Sequence, residues 1–184
     1  MPSRHRIVLR TPTADDEQEF IARMRASRRM HRPWLYPPLT PEAYRDYLGR
    51  LVDDRKIAYL ACRREDGAIA GWLNVSEIVR GGFQSAYLGY GGVAEFAGQG
   101  YMTEALQLVL RDVFVRLRLH RLEANIQPGN AASIALVERC GFEREGFSPR
   151  YLKVGGRWRD HERWAIRSET WRYGAGARRA SSSA

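Results

Sequence analysis

Apolar positions along this chain follow two rhythms, one of period two and one of three to four, and the switches between them lay out its elements. Residues 7–9 form a short apolar run that predicts a strand, and residues 13–29 predict a helix. Thr13 is its N-cap, with acids in the first turn where the helix dipole favours them. HRPWLYPPLTPEAY then sets Pro33, Pro37, Pro38 and Pro41 around Trp34 and Tyr36, which forbids a continuous helix and predicts a stiff loop displaying aromatics. A second helix is expected from Pro41, a residue tolerated in a first helical turn, to about residue 53. Strands are expected over 57–63, 68–78 and 84–93, the first two joined by a hairpin turn at Glu65-Asp66-Gly67. In residues 100–119, Met102, Ala105, Leu106, Val109, Leu110, Val113 and Leu117 share one helical face, the strongest periodic signal in the chain. Residues 121–127 read as a strand. Asn130 caps a following helix that ends at Gly141, and residues 147–167 read as two strands turning at Gly155-Gly156. This order predicts one mixed sheet with helices on both faces, a single domain over 1–173. GAGARRASSSA, residues 174–184, lacks apolar area to bury and is expected to be a disordered tail.

Composition narrows the picture. At 184 residues and 44% hydrophobic, the chain fills one core, so one active site is sought. Cys62 and Cys140 lie far apart in apolar surroundings, as reduced core thiols of a cytoplasmic protein do. The segment MPSRHRIVLR has no apolar stretch of the signal-peptide kind, and no uncharged run approaches the roughly 20 residues needed to span a bilayer. A soluble protein without membrane association is expected. The net charge of +9 attracts phosphate-bearing partners such as RNA, ribosomes or CoA. Of the 30 basic residues only Lys56 and Lys153 are lysine, a skew that codon usage alone can also produce.

The candidate chemistry centres on Ala97-Gly98-Gln99-Gly100-Tyr101-Met102, between a strand and the long helix. Glycines there allow close backbone approach to a ligand, and the free N–H groups of the first turn favour an anion such as a pyrophosphate. Tight geometry alone can also call for them. No Gly-Lys-Ser/Thr follows, which excludes a P-loop, and Thr103 stands where a dinucleotide fingerprint needs Gly or Ala. Downstream, Asn130-Ala131-Ala132-Ser133 opens a helix closed by Cys140-Gly141-Phe142. Helix capping by itself accounts for Asn130.

Taken in order, RRMHRPW, IVRGGFQSAYLGY, GQGYMTEAL, HRLEANIQPGN and CGFEREGFSPRYLKVGGRWRDH make a chain that resembles the general-control-nonrepressed-related N-acetyltransferase (GNAT) superfamily. Within it, the resemblance is to the bacterial ribosomal-protein-alanine N-acetyltransferases. The resemblance implies an α+β fold with one central, mostly antiparallel mixed sheet of about seven strands and helices on both faces. It implies acetyl-CoA as co-substrate, the pyrophosphate on the backbone N–H groups around Gly98, Gly100, Tyr101 and Met102, and the pantetheine arm beside Gly91, Gly92 and Val93. Asn130 would contact that arm, and Ser133 would lie near the thioester sulfur. No metal is implied.

Attack on a thioester needs a neutral amine. An α-amine, with a pKa near 8, needs little help, whereas a lysine near 10.4 needs a base. The sequence departs here from the wider superfamily. Val137 stands where many members carry a tyrosine acid, which leaves Ser133 as the candidate donor to the leaving sulfur. Asn125 stands where many carry a glutamate base and is the candidate holder of a water, while Arg150 replaces an acid found in one relative. Glu123 and Asp160 are weaker carboxylate candidates. Trp34, Tyr87 and Tyr151, with Tyr36 and Trp72, are expected to wall an acceptor groove, while His31, His120 and His161 lack partners at zinc or triad spacing. The acceptor expected is the N-terminal amine of a protein, possible partners including a ribosomal protein, with the enzyme a monomer or homodimer and direct nucleic-acid binding not expected. A polyamine or antibiotic is the alternative acceptor, and a basic RNA- or ribosome-binding module with a vestigial CoA pocket is the alternative of another class.

Overall fold

The computed structural model describes residues 5–171, so the tail expected from residue 174 lies outside the described residues. Seven strands form one sheet in the order β1-β2-β3-β4-β5-β7-β6: β1 (Ile7–Arg10), β2 (Ile57–Arg63), β3 (Ile69–Val79), β4 (Ser85–Gly92), β5 (Arg121–Ile126), β6 (Glu143–Val154) and β7 (Arg157–Arg167). Every neighbouring pair is antiparallel except β4 and β5, which run parallel. The helices are α1 (Glu17–Ala26), α2 (Arg28–His31), α3 (Pro41–Gly49), α4 (Tyr101–Arg111) and α5 (Ala131–Arg139). This is the α+β architecture expected, a mixed sheet with helices on both faces.

Strand alternation sorts those faces. Tyr59 and Leu73 are register partners, and the Tyr59 hydroxyl donates to Asp112 Oδ2 at the end of α4 at 2.5 Å. Asn74, next along β3 and so on the other face, accepts from the Tyr47 hydroxyl of α3 at 2.8 Å. Helix α4 therefore covers one face and α3 the other. The α4 stripe read from the sequence is the core: Ala105, Leu106, Val109, Leu110 and Val113 are fully buried. Full burial of one such leucine is worth about 2 kcal/mol. Glycines let this helix sit close, since a Cβ at Gly71 would run into the Met102 sulfur and the Gly91 carbonyl.

Strand β6 starts at Glu143, where it already pairs with Ala165, rather than at 147, and three further elements differ from expectation, each for a local reason. The first helix breaks at Ser27, which is buried and whose Oγ accepts the Ala94 N–H at 2.9 Å. Helix α3 ends at Gly49 rather than near 53, and the Asp53 carboxylate caps the following turn by accepting the Arg55 N–H at 2.8 Å. The long helix passes into a π-helical turn over Asp112–Arg116, where Asp112 is tied to Tyr59 and to Arg116.

Candidate active site

The parallel pairing of β4 with β5 lasts only from Ser85 to Tyr87 against Arg121 to Glu123. Beyond it the strands splay, and the last five residues of β4 leave β5 behind. Two cavities open on either side of this gap. The larger, about 1010 Å³, runs from the glycine turn along the end of β4 to the start of α5. The smaller, about 450 Å³, lies among Trp72, Tyr87, Asn125 and Tyr151. Trp34, Leu35, Tyr90, Asn130 and Ser133 line both.

At the far end of the larger cavity the backbone does the work. Gly98 and Gly100 take φ of +75° and +83°, angles that cost other residues about 1–2 kcal/mol. That kink turns the chain into α4 with no side chain capping it. Among the described residues, the N–H groups from Gly98 to Thr103 have no backbone or side-chain acceptor, and the first to donate inward is that of Glu104, to the Gly100 carbonyl at 3.1 Å. A run of free donors on the positive end of a helix, beside open space at Gly98, fits a diphosphate. Arg6 braces the turn, donating to the Gln99 carbonyl at 3.0 Å while pairing with Glu104. Farther in, His31 Nε2 donates to the Gly92 carbonyl at 2.8 Å, so one acceptor on the β4 edge expected to face a pantetheine arm is already engaged. Burial pushes His31 below the ordinary histidine value, only partly offset by that carbonyl, and its buried Nδ1 has no partner.

Asn130 caps α5 by accepting the Ser133 N–H on Oδ1 at 3.3 Å, which places Ser133 at the head of the helix where the cavities meet. Val137, where a tyrosine acid would stand, is fully buried in the core. Tyr90 was not singled out from the sequence. Its hydroxyl lies 2.5 Å from Ser133 Oγ and 3.2 Å from the Ser133 carbonyl, and burial pushes its phenol well above the ordinary tyrosine value.

In the smaller cavity the structure brings together Trp34, Trp72, Tyr87 and Tyr151 of the five acceptor-wall candidates, while Tyr36 lies outside the lining, its ring against Gly155 and the Arg32 guanidinium. Trp34 is fixed through its carbonyl, which accepts from Gln127 Nε2 at 3.0 Å, and its ring lies against Gly129. Tyr87, Trp72 and Asn125 share the sheet face opposite α4. Tyr151 reaches them by a bulge in β6, where Arg150 has φ +47° and its N–H donates to Asp160 Oδ1 at 2.8 Å. Bulges of this kind re-aim a side chain. The Tyr87 phenol is pushed up to about 12, first by its hydrogen bond with Tyr151 and then by burial. Asp160 thus shapes the bulge, and Glu123 is held by Arg121 at 2.7 Å, so neither stands free as a base. Asn125 Oδ1 is buried without a partner.

A match to the family described as acetyltransferase (GNAT) domain runs over residues 6–143, three-quarters of the sequence. The chain belongs to the GNAT acetyltransferase family. It is 36% identical over 121 residues to the probable N-acetyltransferase YjcK of Bacillus subtilis, covering 66% of this chain and 67% of that protein. It is 39% identical over 107 residues to the ribosomal protein uS5-alanine N-acetyltransferase of Escherichia coli, covering 58% of this chain and 55% of the enzyme. The match thus spans little more than half the length of the E. coli enzyme. Mycobacterium smegmatis RimJ, solved in complex with CoA-disulfide, superposes with a TM-score of 0.85 at 28% identity, over 95% of this chain and 88% of the other. The GNAT assignment makes the protein an acetyltransferase with the seven-stranded sheet described above. Among the described residues no helix is long and apolar enough to cross a membrane, and no three His, Cys, Asp or Glu groups gather to hold a metal.

Tyr90 and His161 complete a site that motif spacing did not fully reach. Tyr90 carried a signal, as a tyrosine amid glycines in YLGYGG at the end of a buried strand. His161 carried none, because its place against Tyr151 depends on the β6 bulge.

Proposed function

We propose that this protein transfers an acetyl group from acetyl-CoA to the N-terminal amine of a protein, by direct attack of the amine on the thioester. One observation carries the proposal: a cavity headed by free backbone donors and a second, narrower cavity meet at Ser133 through the splay of β4 and β5. The residues fit the division of labour. The turn at Gly98 and Gly100, with Tyr101 and Met102, would hold the diphosphate; Gly92, Val93 and Asn130 border the path to Ser133, whose hydroxyl can donate to the leaving sulfur. When bound, acetyl-CoA supplies the activated acyl group. Asn125 cannot take a proton at neutral pH. Deprotonation is left to solvent, which suits an α-amine with a pKa near 8 far better than a lysine. Positioning then supplies most of the rate.

The lining of the acceptor cavity favours this acceptor over a polyamine. Among the described residues its one carboxylate is Glu77, set among aromatic and neutral groups. A polycation would lose hydration there with little return, whereas a peptide terminus brings a single charge and amide groups. The uS5-alanine enzyme of E. coli and the CoA-disulfide complex of RimJ support the same reading. A vestigial pocket on an RNA-binding module fits less well, because the run of free donors at the turn is intact.

The test is to incubate the protein with acetyl-CoA and peptides beginning Ala, Ser or Met, plus spermidine, and follow free thiol. Thiol release with a peptide is expected. Reaction with spermidine alone would discard the protein acceptor, and no release with any amine, combined with salt-sensitive RNA affinity, would favour the binding module.

A further inference from the structure

Ser133 Oγ has two kinds of neighbour: the space of both cavities and the Tyr90 hydroxyl. Its own backbone N–H is committed to Asn130. Among the described residues, the Tyr90 oxygen at 2.5 Å is the one hydrogen-bond partner of Oγ, and that oxygen is also 3.2 Å from the Ser133 carbonyl, which can only accept. Two hydrogens are thus shared among three oxygens, and two arrangements satisfy the geometry. In the first, Ser133 donates to Tyr90 and Tyr90 donates to the Ser133 carbonyl. In the second, Tyr90 donates to Ser133 Oγ, and the serine hydrogen turns outward into the cavity. They interconvert by rotating two hydroxyls, with no heavy atom moving.

We propose that Tyr90 is a positioning residue that parks the Ser133 hydroxyl in the resting site and releases it, fully hydrogen-bonded from behind, toward the leaving sulfur. The proposal rests on the acetyl-transfer reading of this same site. Without a negative charge in the cavity, the first arrangement leaves both hydrogens satisfied internally. As charge grows on the sulfur, the second wins, because a hydroxyl that accepts from one neighbour donates more strongly to another. The stabilisation therefore grows with the transition state rather than with the bound substrate. No bond is made or broken in Tyr90. Its phenol, held neutral by burial, is a poor proton source, so it acts as a hydrogen-bond donor while the thiolate takes its proton from solvent. Tyr90 is also well placed to stay put. It is the register partner of Leu73 on the face that α4 covers, whereas Trp72 and Tyr87 belong to the opposite face.

The test uses Tyr90→Phe, which keeps the ring, together with Ser133→Ala and the double variant. For Tyr90→Phe, kcat is expected to fall about tenfold, a scale typical of a lost donor to a developing charge, with acetyl-CoA KM within twofold of the parent. The double variant should be no slower than Ser133→Ala alone, because both changes remove one device. A readout free of the acceptor is the thiol of bound CoA, followed by its ultraviolet thiolate absorbance. It should titrate below the ordinary thiol value of about 8.5 in the parent and move back up in Tyr90→Phe. Unchanged thiol titration in a folded, CoA-binding Tyr90→Phe, or losses that simply add in the double variant, would overturn the proposal while leaving acetyl transfer standing. Failure of the parent to bind CoA would remove both.

Discussion

The two cavities that meet at Ser133 are made of different material. The larger is built at its far end from one unbroken stretch of backbone, Gly98 to Thr103, whose free groups are N–H donors fixed by two left-handed glycines. The smaller is assembled from side chains on five separate strands and a loop: Trp34, Trp72, Tyr87, Asn125, Tyr151 and His161. A backbone cradle is indifferent to what lies beyond the diphosphate and tolerates almost no change in its own geometry. A side-chain cavity can be reshaped residue by residue, so a family can hold one co-substrate and vary the acceptor. Substitutions on the two sides should therefore separate cleanly in what they disturb.

The largest effect is expected at the turn. Valine at position 98 cannot hold φ +75° without strain, and relieving that strain would swing the donor array away from its common focus. Gly98→Val is expected to raise the CoA Kd by about 30-fold, roughly 2 kcal/mol, with unfolding midpoint little changed. Isothermal titration calorimetry reads the first and urea melts the second. An unchanged Kd would mean that the turn does not grip the diphosphate, and the contrast between backbone and side-chain cavities would collapse.

The same contrast explains what could be read before the fold was known. The glycine turn, the helix stripe from Met102 to Val113 and the Asn130 cap are local, with donors, periodicity and capping all contained within a dozen residues. The acceptor side depends on long-range events. Tyr151 enters the cavity only because β6 bulges around Arg150, and Trp34 is seated by Gln127 and Gly129, more than ninety positions away in sequence. Trp34, Tyr87 and Tyr151 were identifiable as aromatic candidates, but nothing local joined them into one wall. Tyr90 was missed for another reason: in a strand it reads as one more apolar position, and its role depends on which helix turn lies opposite.

A smaller and opposite effect is expected where the proline-rich loop meets the β6–β7 turn. A Cβ at Gly155, itself at φ +58°, would strike the Tyr36 ring. The neighbouring residues Leu35 and Val154 both line the smaller cavity, so this contact sits directly behind its lining. Gly155→Val should push loop and turn apart, raising the acceptor KM about tenfold while the CoA Kd stays within twofold. Steady-state kinetics with a peptide acceptor, set beside calorimetry with CoA, checks both halves. Equal losses on both sides would show that the cavities are mechanically coupled rather than separable.

The smallest effect concerns a feature the two cavities share, a histidine kept neutral in each. Burial lowers the pKa of His31 beside the larger cavity, against the opposing pull of the Gly92 carbonyl. Burial likewise lowers His161 beside the smaller cavity, with the Arg159 carbonyl and then Asp160 opposing. The ordinary value of about 6.5 applies in the unfolded chain. Between the lowered folded values and that value, the unfolded state binds more protons, so stability rises with pH through this window. The contribution is complete above about pH 6.5 and is lost as pH falls through the folded values. Urea midpoints at pH 7.5 and 5.5 are expected to show the protein less stable at the lower pH. His31→Gln should flatten that slope and loosen the end of β4, registering in CoA affinity, while His161→Gln should flatten it and register in acceptor KM. If either substitution leaves the slope untouched, that histidine is not held neutral by its cavity, and the side it belongs to is wetter than its packing implies.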